Sequence, residues 1–197
     1  TRTGVAHCPS SNARLGAGIA PIPALTRAGA PVGLGVDGAA SNESGALSVE
    51  VREALLVARI AGGPAAMTAR EALALATIEG ARCLGREDEL GSLEPGKLAD
   101  VALWRLDELD HAGIEDPIAA LVLGRPRGVD ALLVGGRPIV EGGELRTADA
   151  NAVAADIAAQ SIRSGVQRSA QMLQVRTREV HPDPLHPTGA VTEDELA

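Results

Sequence analysis

The first part of the chain alternates short apolar runs with a helical stretch. The run TGVAHC at residues 3–8 stops at Pro9 and a Ser/Asn cluster, which predicts a strand followed by a loop. Residues 18–30 have apolar positions at helical spacing and predict a short helix that stops at Gly29. The run PVGLGVD at residues 31–37 predicts a second buried strand. Strand, helix and strand within about 35 residues indicate a βαβ unit, hence parallel strands in an α/β domain.

Two helices are predicted next. Residues 46–61 have apolar side chains three and four residues apart, and Gly62-Gly63-Pro64 ends the pattern. Residues 67–85 predict a further helix, in which Thr68 is the cap and Glu71, three residues later, completes a capping box. The positions expected on its buried face are Leu73, Ala76, Ala81 and Leu84.

The pattern changes after Gly85. A turn at Glu94-Pro95-Gly96 precedes the predicted strand DVALWRL, and GVDALLVGGRPIVEGGEL predicts a pair of strands that turns at Gly135-Gly136. These strands indicate a small β domain distinct from the α/β part. We therefore predict four segments, which are an α/β part, a β domain, a helix and a disordered tail, at residues 1–84, 85–147, 148–175 and 176–197.

Composition narrows the function classes. The chain is 45% hydrophobic, has one Trp and no Phe or Tyr, and carries a formal net charge of −8. It therefore has few rings on which bases could stack and repels phosphate, which argues against nucleic-acid binding. The two cysteines, Cys8 and Cys83, are isolated, which favours a reducing, cytoplasmic compartment. The sequence contains no run of 18 apolar residues, so we expect no membrane partner.

The stretch PVGLGVDGAASNESG holds a Gly33-x-Gly35-x-x-Gly38 spacing that is typical of a dinucleotide-binding loop. Such a loop needs a strand before its first glycine and a helix opening at its third. Only Pro31 and Val32 precede Gly33, so the glycines lie within the predicted strand. The nucleotide interpretation is therefore disfavoured.

Asp37 is the stronger candidate for chemistry. It lies at the carboxyl end of the second predicted strand, where parallel α/β barrels place catalytic groups, and a carboxylate there suits metal binding and proton transfer. A turn-capping aspartate fits the spacing equally well. His7 ends the preceding strand, where it could be a site residue or a buried core histidine. His181 and His186 lie in the predicted tail, and we do not expect them to bind metal.

Several stretches together resemble the amidohydrolase superfamily, in the branch of guanine and 8-oxoguanine deaminases and triazine hydrolases. They are HCPSSNARLGAGIAPIPALTRAGAPVGLGVDGAASNES, TAREALALATIEGARCLGREDELGSLEPGKLADVALWRLD and DPIAALVLGRPRGVDALLVGGRPIVEGGEL. The resemblance implies the last two strands and helices of a metal-dependent (β/α)8 barrel, part of a small β-sandwich domain and a C-terminal helix. It implies that Asp37 is a metal ligand and takes a proton from the attacking water. It further implies that His7 and Asn12 line the substrate pocket, and that Ser41 and Asn42, in the loop after Asp37, support the geometry of Asp37 and take part in substrate binding.

The resemblance also implies a zinc or iron ion, a purine-like substrate and a homo-oligomeric intact enzyme. The chain starts without Met and inside a predicted strand, so we expect a C-terminal fragment whose other metal ligands lie upstream. A zinc site needs about three protein ligands besides water, so we expect this chain alone to be inactive. A triazine chlorohydrolase, an S-adenosylhomocysteine or adenosine deaminase, and a non-catalytic remnant remain as alternatives.

Overall fold

The computed structural model describes residues 3–125 and 127–163. Contacts between residues divide the chain into two units, Thr1–Thr147 and Ala148–Ala197. Nearly all the described secondary structure lies in the first unit. In the second, residues 150–163 form a helix, α7, whose side chains are almost all exposed. The predicted tail at residues 176–197, with its two histidines, lies outside the described residues.

The first unit opens with the predicted βαβ unit. Strands β1 (Val5–His7) and β2 (Val32–Leu34) are parallel, in a register that pairs His7 with Leu34. Helices α1 (Pro9–Leu15) and α2 (Ile22–Arg27) connect them. Because the strands are parallel, their carboxyl ends meet at one edge, and the residues that follow each strand lie side by side.

Helix α1 corrects the prediction of a loop after β1. Its first residue is Pro9, whose fixed φ suits a helix start and whose missing N–H is not needed there. Gly16 ends the helix in the left-handed conformation, with φ 64°. The Ser/Asn cluster looked like loop chemistry because its side chains favour turns, but tertiary contacts described below hold it in a helix.

Three helices follow β2, namely α3 (Leu47–Gly62), α4 (Ala69–Leu75) and α5 (Ile78–Cys83). The prediction of a single helix over residues 67–85 is wrong, because the helix is interrupted between α4 and α5. At the break the Thr77 hydroxyl donates to the Leu73 carbonyl at 2.9 Å and so competes with the helical backbone bonds.

The two ends of the α4–α5 segment differ in how well they were predicted. The capping box is confirmed, since Thr68 and Glu71 exchange both of its hydrogen bonds. Leu84 was expected to be buried but is 72% exposed, because the break rotates the later residues away from the helical pattern. Ala81 is buried as expected, and Leu73 and Ala76 are partly buried. Ala72 and Leu75 are also buried, although the pattern did not predict them.

The core lies between the helices and β2. Leu55 of α3 is fully buried at its centre. A Cβ at Gly33 of β2 would lie 2.9 Å from the Cα of Gly80 in α5, so this glycine allows strand and helix to approach closely. The other buried apolar members of the core cluster are Ile22, Val32, Val51, Ala54, Ala58, Met67, Ala72, Leu75 and Val122.

The later part of the first unit is an antiparallel sheet with the strand order β3-β4-β5-β6. The strands are β3 (Val101–Leu103), β4 (Ala131–Val134), β5 (Arg137–Glu141) and β6 (Glu144–Leu145). The predicted turn at Gly135-Gly136 is confirmed, and both glycines have positive φ.

Helix α6 (Pro117–Leu123) interrupts the strands of this sheet in sequence. Its cap is Asp116, whose side chain accepts a hydrogen bond from the Ile118 N–H at 2.9 Å. The helix packs on α3 and α4 and places Val122 in their core cluster. The predicted boundary between the α/β part and the β domain, at residues 84 and 85, stays a prediction. Within the described residues, no helix is long and apolar enough to cross a membrane.

Candidate functional site

Asp37 lies three residues beyond β2, at the edge where β1 and β2 both end. The parallel pairing continues one residue past the strand, because the Gly35 N–H donates to the His7 carbonyl at 2.9 Å. Among the described residues, Asp37 is the one non-glycine residue with positive φ, at 60°. Aspartate tolerates this left-handed conformation better than most residues, but it is still sparsely populated. The backbone thus turns sharply and leaves the carboxylate exposed.

Two serine hydroxyls hold this carboxylate. Ser11 of α1 donates to Asp37 Oδ2 at 2.6 Å, and Ser41 of the following loop donates to the same oxygen at 3.0 Å. Both serines are buried, whereas Asp37 is exposed. Buried hydroxyl groups therefore bind one oxygen of the carboxylate, Oδ2, while the residue as a whole stays exposed to solvent.

Three hydrogen bonds lower the pKa of Asp37. The Ser11 hydroxyl, then the Gly38 backbone N–H and the Ser41 hydroxyl, lower the pKa of Asp37 below its usual value. The neighbouring Cys8 shifts the other way, since burial and then the charge of Asp37 raise the pKa of its thiol. At neutral pH the edge therefore presents a carboxylate beside a neutral thiol.

A second carboxylate, Glu50 of α3, lies behind this edge and is fully buried. Its Oε2 accepts a hydrogen bond from the Ser10 backbone N–H at 3.0 Å, and its Oε1 accepts one from Asn42 Nδ2 at 2.8 Å. Asn42 is itself only 7% exposed. Its side-chain NH₂ group donates to Glu50 and not to Asp37.

His7 and Asn12 line a separate open cleft of about 260 Å³, together with Ile19 and Val57. His7 is buried, and burial lowers the pKa of its imidazole against the opposing charge of Glu50. The ring is therefore neutral at pH 7. Its Nδ1 atom has no hydrogen-bond partner in the part of the chain that the structure describes.

The five predicted site residues are thus divided among three neighbouring groups. Ser41 contacts Asp37, Asn42 contacts Glu50, and His7 and Asn12 share the cleft. The sequence reasoning missed two polar residues that organise these groups, namely Ser11 and Glu50. Glu50 could have been found from its position, because it falls three residues after Leu47 and four before Ala54, on the predicted buried face of α3.

The arrangement around Asp37 fits one metal ligand. An ionised, exposed carboxylate held by buried hydroxyl donors suits a divalent cation, and hydrogen bonds of this kind orient carboxylates that bind metals. No group of three His, Cys, Asp or Glu residues converges on one point within residues 3–125 and 127–163. A site at Asp37 with three such ligands would therefore need at least one from outside the described residues.

The sequence of the chain is similar to that of a known protein family. The model of the amidohydrolase family matches residues 1–139. An 8-oxoguanine deaminase from Pseudomonas aeruginosa is 50% identical over 134 residues, which are 68% of this chain and 30% of that protein. A 5-methylthioadenosine/S-adenosylhomocysteine deaminase from Teredinibacter turnerae is 41% identical over 166 residues, 83% of this chain and 38% of that protein.

Two solved structures show the same fold. An adenosine deaminase from Xanthomonas campestris with bound zinc matches with a TM-score of 0.77 at 34% identity, covering 84% of this chain and 38% of that one. The zinc complex of atrazine chlorohydrolase TrzN from Arthrobacter aurescens TC1 matches at 0.76 and 38%, covering 80% and 36%. The chain thus spans between 30% and 38% of the length of these four proteins.

Proposed function

The chain belongs to the amidohydrolase family, and on this premise we propose that it supplies the last-strand carboxylate of a metal-dependent aminohydrolase. The reaction is the deamination of a purine-like ring such as 8-oxoguanine or guanine. One water is consumed, a ring carbon exchanges its bond to nitrogen for a bond to oxygen, and ammonia leaves. The observation that carries the proposal is the ionised, exposed Asp37 at the strand edge, fixed by Ser11 and Ser41.

Asp37 has two roles in this proposal, as ligand and as proton acceptor. When bound, a divalent zinc or iron ion would supply electrophilic activation of the attacking water. Asp37 would accept the proton of that water, because its pKa keeps it ionised at neutral pH. Ser11 and Ser41 would hold the carboxylate in place while its protonation state changes. Zinc is bound in the adenosine deaminase of similar fold, which supports zinc as the first metal to test.

The cleft that His7 and Asn12 line is the proposed place for the heterocycle. A neutral imidazole donates one hydrogen bond and accepts one, and the Asn12 amide donates through its NH₂ group and accepts through its oxygen. Such groups suit the mixed donors and acceptors at a purine edge. Ser41 and Asn42 would support the loop that holds Asp37, since their side chains bond to Asp37 and Glu50.

The setting of the enzyme is also proposed. The cysteines among the described residues, Cys8 and Cys83, are free thiols, which supports a reducing compartment such as the cytoplasm. We propose small-molecule substrates and no nucleic-acid or membrane partner, on the charge and composition given above. That the intact enzyme is a homo-oligomer stays a prediction.

The test uses a hybrid enzyme. In it, the 134 residues of the Pseudomonas aeruginosa 8-oxoguanine deaminase that match this chain are replaced by the matching residues of this chain. We expect the hybrid to bind zinc and to deaminate 8-oxoguanine or guanine, followed by the change in ultraviolet absorbance. A folded, zinc-loaded hybrid that turns over neither purine would contradict the proposal.

A triazine substrate is the second candidate, because TrzN complexed with zinc and atraton matches at 39% identity with a TM-score of 0.75. The hybrid and the unsubstituted Pseudomonas aeruginosa deaminase are compared with atrazine, S-adenosylhomocysteine and 8-oxoguanine at equal concentration, because most of the hybrid comes from that deaminase. The purine proposal predicts that both enzymes have their highest kcat/KM with 8-oxoguanine. A kcat/KM with atrazine that rises in the hybrid above that of the parent enzyme would favour the chlorohydrolase.

A further inference from the structure

Glu50 occupies an unusual position for a carboxylate. Its side chain is fully buried on the face of α3 that otherwise carries the apolar residues Val51, Ala54, Leu55 and Ala58. Burying a carboxylate is unfavourable unless hydrogen bonds or an opposite charge compensate for the lost water. A hydrophobic residue of similar volume would fill the position without that penalty. The position is therefore a place to look for a role other than packing.

The hydrogen bonds of Glu50 run to two segments of the site. One oxygen accepts from the Ser10 backbone N–H at 3.0 Å, and the other accepts from Asn42 Nδ2 at 2.8 Å. Ser10 is adjacent to Ser11, and Asn42 is adjacent to Ser41, and these two serines are the ones that donate to Asp37 Oδ2. Glu50 thus binds the immediate neighbour of each Asp37 donor.

We propose that Glu50 is a positioning residue for Asp37, because it joins the start of α1 to the loop after β2 and so fixes both serine hydroxyls that hold the Asp37 carboxylate. The consequence for catalysis rests on the proposed function. The structural linkage itself does not depend on it.

Besides Glu50 and the Ser11–Asp37 hydrogen bond, an ion pair joins α1 to the loop after β2, and it is weaker. Arg14 of α1 pairs with Glu43 of the loop, but both side chains are about half exposed or more. Exposed ion pairs contribute little, since water and salt screen them. The buried bonds to Glu50 are charge-assisted and shielded, and bonds of that kind are about twice as strong as neutral ones. Apart from the Ser11–Asp37 hydrogen bond itself, Glu50 is therefore the main buried connection between α1 and the loop.

The change Glu50→Gln tests this linkage with the shape conserved. An amide has one acceptor oxygen where the carboxylate has two, and its NH₂ group would face one of the two N–H donors. One of the bonds to Ser10 or Asn42 is then lost. Val51→Ala is the matched control, because it removes apolar atoms from the same buried face without touching a polar group.

The first measurement is native-state hydrogen exchange of the full chain by NMR. The Ser41 N–H bonds to the Gly38 carbonyl at 3.0 Å, and we expect Glu50→Gln to speed its exchange about tenfold. The Ala72 N–H of α4, bonded to Thr68, should change much less and reports global opening. In Val51→Ala the two amides should change together.

Unchanged Ser41 exchange in Glu50→Gln, or equal acceleration of Ser41 and Ala72, would overturn the proposal. If Glu50→Gln does not fold, Asn42→Ala decides the question, because it removes one of the two bonds and leaves the buried carboxylate. It should accelerate Ser41 selectively in the same direction, and uniform or absent acceleration would again overturn the linkage.

The second measurement is steady-state kinetics in the hybrid enzyme. A displaced Asp37 affects the chemical step more than ground-state binding, so we expect Glu50→Gln to lower kcat about tenfold or more with KM changed less than about threefold. A hybrid inactive before any substitution would fail the proposed function and leave the exchange result standing. An active hybrid whose kcat is unaffected by Glu50→Gln would overturn the positioning role alone.

Discussion

At the scale of single residues, Asp37 combines a strained backbone with an ionised side chain. Its φ of 60° is one that few non-glycine residues adopt, and its carboxylate receives two hydroxyl groups from buried serines. Strain of this kind persists where surrounding contacts hold it, and it concentrates at functional sites. The combination supports a chemical role for Asp37 over turn capping.

The serine hydroxyls give a direct prediction for the pKa of Asp37. The Ser11 hydroxyl is the largest cause of its lowered pKa, and the Ser41 hydroxyl is a smaller one. Ser11→Ala should therefore raise the pKa of Asp37 toward 3.8, and by more than Ser41→Ala does. The ¹³Cγ chemical shift of Asp37 followed against pH measures this. Ser92→Ala removes a distant serine that donates to Glu94 and should leave Asp37 unchanged. Equal titration curves in all four proteins would contradict the prediction.

The same shift predicts a pH dependence of stability. Because the folded pKa of Asp37 lies below its unfolded value, its contribution to stability is fully present above about pH 4 and is lost as the pH falls through the folded pKa. Asp37→Asn should therefore unfold at lower urea than the wild type at pH 7. Asparagine tolerates the positive φ, so the backbone is little affected. The two urea midpoints should converge as the pH falls toward 3. A difference that stays constant from pH 7 to 3 would contradict this account.

At the scale of elements, the first glycine of the GxGxxG spacing, Gly33, has a packing role, and the third, Gly38, does not. A Cβ at Gly33 would lie 2.9 Å from the backbone of Gly80, whereas a Cβ at Gly38 would have no atom within 4 Å. Gly33→Ala should therefore lower the free energy of unfolding by about 1–3 kcal/mol through overpacking of β2 against α5. Gly38→Ala should change it by less than about 0.5 kcal/mol. Urea denaturation compares the two. Equal effects would show that the close approach of β2 and α5 does not constrain Gly33.

Much of the element order could be predicted from sequence. Periodicity located β1, β2, α3 and the β4–β5 hairpin, because each depends on a local pattern of apolar residues and glycines. The helix at residues 9–15 could not be predicted, since its Ser/Asn cluster favours turns. It is held as a helix by the bonds from Ser10 to Glu50 and from Ser11 to Asp37, between residues distant in sequence.

Only part of the candidate site was predictable from sequence. The resemblance pointed to Asp37 because a carboxylate at a strand end has a recognisable setting in sequence. The burial of Glu50 was predictable from its place on the predicted buried face of α3, but its hydrogen-bond partners were not. The hydrogen bonds that explain it join residues 10, 42 and 50, and no local spacing indicates such contacts.

At the scale of the whole molecule, the described residues bring Asp37 and the cleft to the same strand edge. They present a carboxylate and an open cleft at a strand edge, on a chain that spans about a third of the length of its relatives. The linkage from Glu50 through α1 and the loop shows how this part can fix Asp37 with its own contacts. On the proposed linkage, the orientation of Asp37 is fixed by contacts within this chain.

The central claim, that Asp37 takes part in the chemistry, is tested most directly by kcat of the hybrid enzyme carrying Asp37→Asn. The matched control is Asp88→Asn, the same chemical change at an exposed position away from the site. We predict that Asp37→Asn lowers kcat for purine deamination about 10²- to 10⁴-fold, the range typical for loss of a proton-transfer group. Asp88→Asn should leave kcat within about twofold. An Asp37→Asn hybrid that deaminates 8-oxoguanine as fast as the Asp88→Asn hybrid would contradict the claim.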